Sequence, residues 1–376
     1  MRSEPQTKAR PGLALIFFAI VFAVLLLVHR AGDSHYDFGV FYYAARMVNA
    51  GAGSQLYDLS AQHAWQAALG RPASQLFYYP PYSLLPFLPL AVLPIAWAYA
   101  AWTALSLALL AWNVKVLAVY AQAESSNWPW LLALAFMPVA TCLAHGQLSL
   151  VVLTGFVLTH AALVRGKPFA AGLLLTLAAF KFQLVAGFVA VLFLRRKWTA
   201  LAGLLCGAAA LLAISLLIGG TQVLAGYGAF VIRSEGGVGS EPENMANWRG
   251  LATLFTAHPL AVVLVLSLAT VLWAARAWTS LDRGFSAAML ATLLTSYHAN
   301  PQDLLLCMVP FCFCLKEGMI PVRRAELVVC LVLLAPMALA AARLPYALLA
   351  LPIAGAVGLL GVQRATRREA PLAQSS

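Results

Sequence analysis

Charge is scarce in this sequence. Only 10% of its 376 residues are Asp, Glu, Lys or Arg, against 62% hydrophobic, and no soluble domain hides that much apolar surface in its own core. The chain is therefore read as an all-α polytopic membrane protein. Acidic residues are the scarcest, 13 against 24 Lys and Arg, giving a net charge of +11. In a soluble protein that balance would suggest nucleic acid, but here the basic residues fall in small clusters between apolar runs, where they set topology. Nucleic acid is set aside as a partner. The six cysteines, Cys142, Cys206, Cys307, Cys312, Cys314 and Cys330, all lie inside hydrophobic runs, and none stands with His at a metal-ligand spacing. That argues against a zinc site and a disulfide framework. No repeat of fixed period is present, and the two halves carry no matching pair of broken helices.

What is present is a series of apolar runs, and stretches of about 17 to 25 such residues can cross the hydrocarbon. They are expected at Pro11 to Val28, Leu84 to Ala118 (one long or two short), Trp130 to Leu143, Leu148 to Val164 and Trp198 to Ile218. Further runs are Pro259 to Trp278, Ser286 to Tyr297, Leu304 to Leu315, Leu327 to Ala342 and Tyr346 to Val362. A basic stretch precedes the first run, but the following VHRAGDS offers no signal-peptidase-like site, so that run is expected to remain as a span. The run from Phe169 to Leu194 is interrupted by Lys181-Phe182-Gln183, which predicts two half-length helices meeting at a surface rather than one span with a buried charge.

Orientation follows from Lys and Arg. With the N-terminus in the cytoplasm, the clusters at Arg165 and Lys167, Arg195 to Lys197, Arg276 and Arg283, and Arg323 and Arg324 all fall inside. Only Arg30, Arg46, Arg71, Arg233, Arg249 and Arg343 fall outside, apart from Lys181 at its tip. Both termini are then cytoplasmic, with roughly twelve crossings if the half-helices count as a pair. Residues 1–363 form a single transmembrane domain and 364–376 a cytoplasmic tail. The polar segments gather on the opposite face: a first outward loop at 29–81, His145-Gly146-Gln147, the tip at Lys181, a second loop at 219–258, and Tyr297 to Asp303. A one-sided collection of carboxylates, amides and aromatic residues suits an enzyme that works on a lipid-borne substrate.

The first loop is too long for bare coil. It offers two short amphipathic helices, Phe38 to Asn49 and Ala61 to Leu69, the second capped by Ser60 and stopped by Gly70; both are expected to lie on the membrane surface. Asp37, or Ser34 before it, stands at the start of the first as its N-cap, where backbone N–H groups also favour a phosphate. A cap and a catalytic base are both open to Asp37 here. Asp58 reads mainly as the cap of the next helix. Tyr78, Tyr79, Pro80 and Pro81 make a rigid aromatic corner, an interface anchor or a face on which a sugar ring stacks. Arg249, in NWRG, can hold a phosphate with its fork or anchor to headgroups. In SYHANPQD, His298 can donate to a phosphate oxygen, while Asp303 orients it or caps the helix starting near Leu304. Lys181, among so many apolar residues, is costly unless it reaches water or an anion.

These pieces in order, DFGVFYYAARMVNAG then LYD, FYYPPYSLLPFLPLAVLP, Gly146-Gln147, AAFKFQ before LRRKW, NWRG and SYHANPQDLLL, resemble the GT-C membrane glycosyltransferases. The closest resemblance is to glycosyltransferase family 87, the polyprenyl-phosphate-mannose-dependent alpha-mannosyltransferase group. The resemblance covers Asp37 to Leu306. It implies a GT-C fold whose first outward loop carries the catalytic Asp, transfer of a sugar, mannose, from a polyprenyl-phosphate donor with inversion, and a bacterial inner-membrane enzyme with a periplasmic site. Asp37 then matches the general base, and Arg249, His298 and Lys181 are candidates for the donor phosphate. Tyr42, Asp58, Tyr79, Gln147, Gln183 and Asp303 complete the candidate substrate-binding set. No metal and no cofactor is called for beyond the lipid-linked sugar; the partners are membrane lipid, that donor, and a glycan or glycolipid acceptor. A transporter or flippase of lipid-linked sugars is the alternative from another class, and a pentose or aminosugar donor the alternative within this one.

Overall fold

The computed structural model describes residues 36–68, 76–122, 128–233, 241–316, 335, 338–339 and 342–362. The expected first span, most of the Leu327 to Ala342 run, the tail, and the proposed cap and stop at Ser34 and Gly70 lie outside them. Among the described residues there are helices and turns and no strand. Two helices among the described residues are long and apolar enough to cross a bilayer, and three more apolar helices are shorter.

The first described helices are α1 (Tyr36–Asn49) and α2 (Leu59–Ala68). α1 does not lie on a surface as expected. α1 is buried nearly all round, with Phe38, Val40, Phe41, Ala44, Ala45 and Met47 inside, so it is a plug in the protein rather than a float on a surface. α2 turns Gln62 and Gln66 inward; the Gln62 amide donates to the Leu56 carbonyl at 2.7 Å and accepts from the Phe77 N–H at 2.7 Å. Its buried face is polar because it satisfies loop backbone, which would otherwise be stranded.

Prolines shape the stretch after α2. Pro81, Pro86, Pro89 and Pro94 break the expected first half of the Leu84 to Ala118 run into short 3-10 turns, and the helix proper, α3 (Ile95–Tyr120), starts only after Pro94. Carbonyls along this turn region would lack helical donors. Side chains on α1 supply some of them: Asn49 donates to Leu88 O at 2.9 Å, Arg46 to Ala91 O at 3.4 Å and Tyr42 to Leu93 O at 2.7 Å. Pro138 likewise splits the next run into α4 (Trp128–Ala135) and α5 (Met137–His145). After α6 (Ser149–Val164) come α7 (Pro168–Leu175) and α8 (Ala186–Leu194), each about half the length a bilayer crossing needs.

A 3-10 segment, Ala178–Leu184, joins these half-helices, and within it Lys181 leaves helical geometry at φ −122, ψ 75. The break falls where the sequence placed it. α9 (Trp198–Arg233) then packs along α7. Gly172 and Gly203 let the two backbones approach, for a Cβ on either would collide with the Ala200 or Phe169 carbonyl of the other helix. α9 kinks at Gly219 and Gly220 but continues to Arg233. Much of the expected second outward loop is therefore helix, because the chain leaves helical geometry only at the two glycines and resumes it directly after them. The remaining helices are α10 (Trp248–Thr253), α11 (Leu260–Arg276), α12 (Leu281–Thr295), α13 (Met308–Lys316) and α14 (Ala350–Val362).

One end of this bundle is basic. There Arg195 donates to Trp278 O at 3.3 Å, Lys197 lies over the Trp278 ring, and Lys316 and the buried His160 both bind Asp282, at 2.6 and 2.7 Å. The polar segments collect at the other end.

Candidate active site

The site is built where α5 stops. Gly146 ends that helix in the left-handed region, φ 66, and a Cβ on it would lie 2.7 Å from Phe38 Cβ. Only glycine permits both the turn and the approach of α1. Carbonyls freed at the helix end are taken by Tyr99, which donates to Ala144 O at 2.9 Å, and by Trp102, which donates to Gly146 O at 2.9 Å. His145, Gln147 and Ser149 are thus held on either side of a fixed turn.

Asp37 meets this turn. It is itself helical, within α1, rather than a cap before the helix. Its Oδ2 lies 3.0 Å from His145 Nδ1 and accepts from Gln147 Nε2 at 2.8 Å. An ionised carboxylate can only accept, so His145 carries a proton on Nδ1. Tyr79 donates to Gln147 Oε1 at 3.2 Å, which fixes the amide so that its NH2 faces Asp37. Burial pushes the Tyr79 phenol pKa up and keeps it a donor. Oδ1 of Asp37 takes no hydrogen bond among the described residues, and the side chain is 20% exposed. Burial disfavours the charged carboxylate, but the His145 and Gln147 hydrogen bonds and the attraction of His145 and Lys181 outweigh it and hold Asp37 below its ordinary pKa.

Two residues beyond Gln147, a second cluster is buried. Lys181 Nζ donates to Asp303 Oδ1 at 2.7 Å and to Ser149 Oγ at 2.9 Å, while Ser149 donates to the same Asp303 oxygen at 2.6 Å. Lys181 and Asp303 are only 1% and 2% exposed. Lys181 therefore does not reach water or a free anion at an exposed tip, as expected from sequence; its counter-charge is Asp303. The other oxygen of Asp303 accepts the Asn300 N–H at 3.0 Å and caps the 3-10 turn Pro301–Cys307. The capping reading of Asp303 holds, three residues earlier than Leu304, and no hydrogen bond joins it to His298.

Asn247 docks the NWRG segment onto the SYHAN segment, donating to Ser296 O at 2.9 Å while its Oδ1 caps α10 through Gly250 N–H at 2.8 Å. This carries Arg249 beside Tyr297: the guanidinium stacks 3.9 Å from the ring centroid and Nη1 donates to the Tyr297 carbonyl at 3.3 Å. The rest of its fork has no protein acceptor among the described residues. His298, next along, has its pKa drawn down to about 4, first by burial and then by repulsion from Arg249 and Lys181, against the pull of Asp303. It is a neutral imidazole at neutral pH. Asp37 and His298 both feel the charge of Lys181, so they surround the same buried ion pair.

The remaining candidates divide. Gln183 is part-buried with no hydrogen-bond partner among the described residues. Tyr42 spends its hydroxyl on Leu93 O and packs its ring on Phe38, so it holds α1 in place. Asp58 accepts from the Ser60 and Ala61 N–H groups at 2.9 and 3.2 Å; it, not Ser60, caps α2. His145 and Ser149 were missed as site residues. The signal was the H-G-Q-x-S spacing, a polar pentad around a glycine amid apolar helices.

Against known proteins, no curated sequence and no solved structure matches the chain. The model of glycosyltransferase family 87 matches residues 77–310, well over half the chain, including Tyr79, His145, Gln147, Lys181, Arg249, His298 and Asp303. Asp37 lies ahead of the matched stretch. With apolar helices converging on one polar end and that match along most of their length, the chain belongs to glycosyltransferase family 87 and is a membrane glycosyltransferase.

Proposed function

We propose that this protein transfers a single sugar, mannose, from a polyprenyl-phosphate donor to an acceptor hydroxyl, with inversion and with Asp37 as general base. The observation that carries this reading is the state of Asp37: one oxygen is held by two donors, and the other takes no hydrogen bond among the described residues on a part-exposed carboxylate. As the acceptor oxygen attacks C1 of the sugar, its proton passes to Oδ1, the bond from C1 to the phosphate oxygen breaks, and the lipid phosphate departs with that electron pair. A phosphate leaving group needs charge stabilisation rather than a proton. Arg249 supplies it, with His298 as a neutral N–H donor beside it. With Lys181 cancelled by Asp303, Arg249 is the one cation of the three candidates left for the donor. That suits a phosphodiester, which carries one negative charge, better than a pyrophosphate.

The same reading places the chain in the GT-C class, with roughly twelve crossings, both termini in the cytoplasm of a bacterial cell and the site on the periplasmic side of the inner membrane. The basic end formed around Trp278 and Asp282 supports this polarity. The acceptor is a glycan or glycolipid. The test compares envelope glycolipids and glycans by mass spectrometry in cells lacking the protein, complemented with wild type or with Asp37→Asn. A hexose absent from the deletion strain, restored by wild type and not by the membrane-inserted variant, is expected. Restoration by Asp37→Asn would overturn the assignment of the base, and a missing pentose or aminosugar would overturn the donor.

A further inference from the structure

We propose that His145 and Gln147 form a two-donor clamp on Oδ2 of Asp37, which dedicates Oδ1 to the incoming acceptor hydroxyl, with His145 as the positioning residue. This rests on Asp37 being the base. A carboxylate free to rotate presents either oxygen to the acceptor. Here both donors converge on one atom, at 3.0 and 2.8 Å, and each is itself fixed. His145 is held by the last turn of α5, which Gly146 closes, and Gln147 by the Tyr79 hydroxyl. Rotating the carboxylate would break two charge-assisted bonds at once. The oxygen left over is the only one that can receive a proton without loss of the clamp.

The clamp has a second effect, on acidity. The groups acting on Asp37 are His145 and Gln147 after α5, Tyr79 behind Gln147, and Lys181 between α7 and α8. Among them, His145 acts both by hydrogen bond and by charge, against a burial that would otherwise raise the Asp37 pKa. Lys181 is already paired with Asp303, so His145 is the group whose removal leaves burial least opposed. A base that must be ionised works only above its pKa. Loss of His145 therefore moves the acid limb of the rate profile to higher pH, while the plateau at high pH is kept to the extent that Gln147 still orients the carboxylate.

The experiment uses the full chain in lipid nanodiscs, radiolabelled polyprenyl-phosphate-mannose, and solubilised envelope from cells lacking the protein as the source of acceptor. Apparent kcat/KM is measured across pH for wild type, His145→Ala, His145→Asn and Gln147→Glu, with melting temperature as a check on folding. The acid limb is expected to move furthest up in Gln147→Glu, where a second carboxylate faces Asp37, then in His145→Ala. It moves least in His145→Asn, whose amide can reoccupy the Nδ1 position as a donor. A uniform fall in rate with an unmoved limb in His145→Ala and Gln147→Glu would overturn the clamp and leave His145 a packing residue. Asp37→Asn run alongside separates the two ideas: if it is active, the base assignment fails; if it is inactive while the limbs stay put, only the clamp fails.

Discussion

Replacing Lys181 by Met removes the full positive charge that binds Asp303 and leaves a carboxylate that is 2% exposed, with the Ser149 hydroxyl and the Asn300 N–H as its donors among the described residues. Breaking a buried ion pair from one side costs about 3–5 kcal/mol, because the stranded charge must be neutralised or hydrated. Asp303→Asn strands Lys181 in the same way, at a similar cost. The double variant Lys181→Met with Asp303→Asn has no charge to strand, and the Asn side-chain oxygen can still accept the Asn300 N–H. Its stability should return to within about 1–2 kcal/mol of wild type, so the cycle should show a coupling of several kcal/mol. In a thermal melt of the detergent-solubilised protein each single variant is expected to fall by on the order of 5–10 °C, with most of that recovered in the double. If both single variants melt with wild type, and Lys181→Met alone raises KM for the lipid-phosphate donor, the reasoning is wrong. Lys181 would then meet a phosphate and not Asp303.

Other outcomes turn on single residues. Gly146→Ala must take a positive φ, at roughly 1–2 kcal/mol, and set its Cβ against Phe38; a variant with wild-type melting and transfer would refute the argument for the turn. His298, neutral in the folded protein down to about 4, takes up a proton in the unfolded chain near its ordinary 6.5. The unfolded state thus binds more protons between these values, so stability falls as pH drops from 6.5 toward 4 and holds above that window. His298→Gln should flatten that part of a plot of melting temperature against pH. Arg249→Lys keeps the charge but loses the fork and the stacking on Tyr297. Its KM for the donor should rise about tenfold, equivalent to about 1.4 kcal/mol, with stability little changed; an unaltered KM would move the phosphate elsewhere.

The parts of this architecture that depend on local chemistry were legible. The polar break at Lys181 stood out in its apolar run, and the Asp58 cap was readable because it binds N–H groups two and three residues away. What failed was what depends on distant partners. An isolated Lys in an apolar run reads as a group seeking water or an anion, because nothing near it names a carboxylate 122 residues later. α1 looked amphipathic, and hence interfacial, because Phe38, Phe41, Tyr42, Ala45 and Val48 recur at helical spacing. The polar ends of Tyr42, Arg46 and Asn49 find carbonyls of a proline-broken turn between 39 and 51 residues on, and donors of that kind allow a helix to be buried on nearly every side. His145 was passed over for the same reason: its carboxylate lies 108 residues earlier in sequence.

These distant pairings also tie the buried ion pair to the clamp. Ser149 and Gln147 stand two residues apart at the start of α6, one fixed by Lys181 and Asp303, the other fixed to Asp37 and Tyr79. Asp303 in turn caps the turn that follows His298, and Lys181 sits at the junction of the two half-helices. A closed ion pair that holds three segments in register is a poor ligand for a mobile phosphate, since its charges already match each other. It is a good foundation for a carboxylate whose oxygens have different tasks, because small shifts of α6 would move Gln147 off Oδ2. The charge that sequence assigned to the donor serves the base at one remove, by keeping its clamp in place.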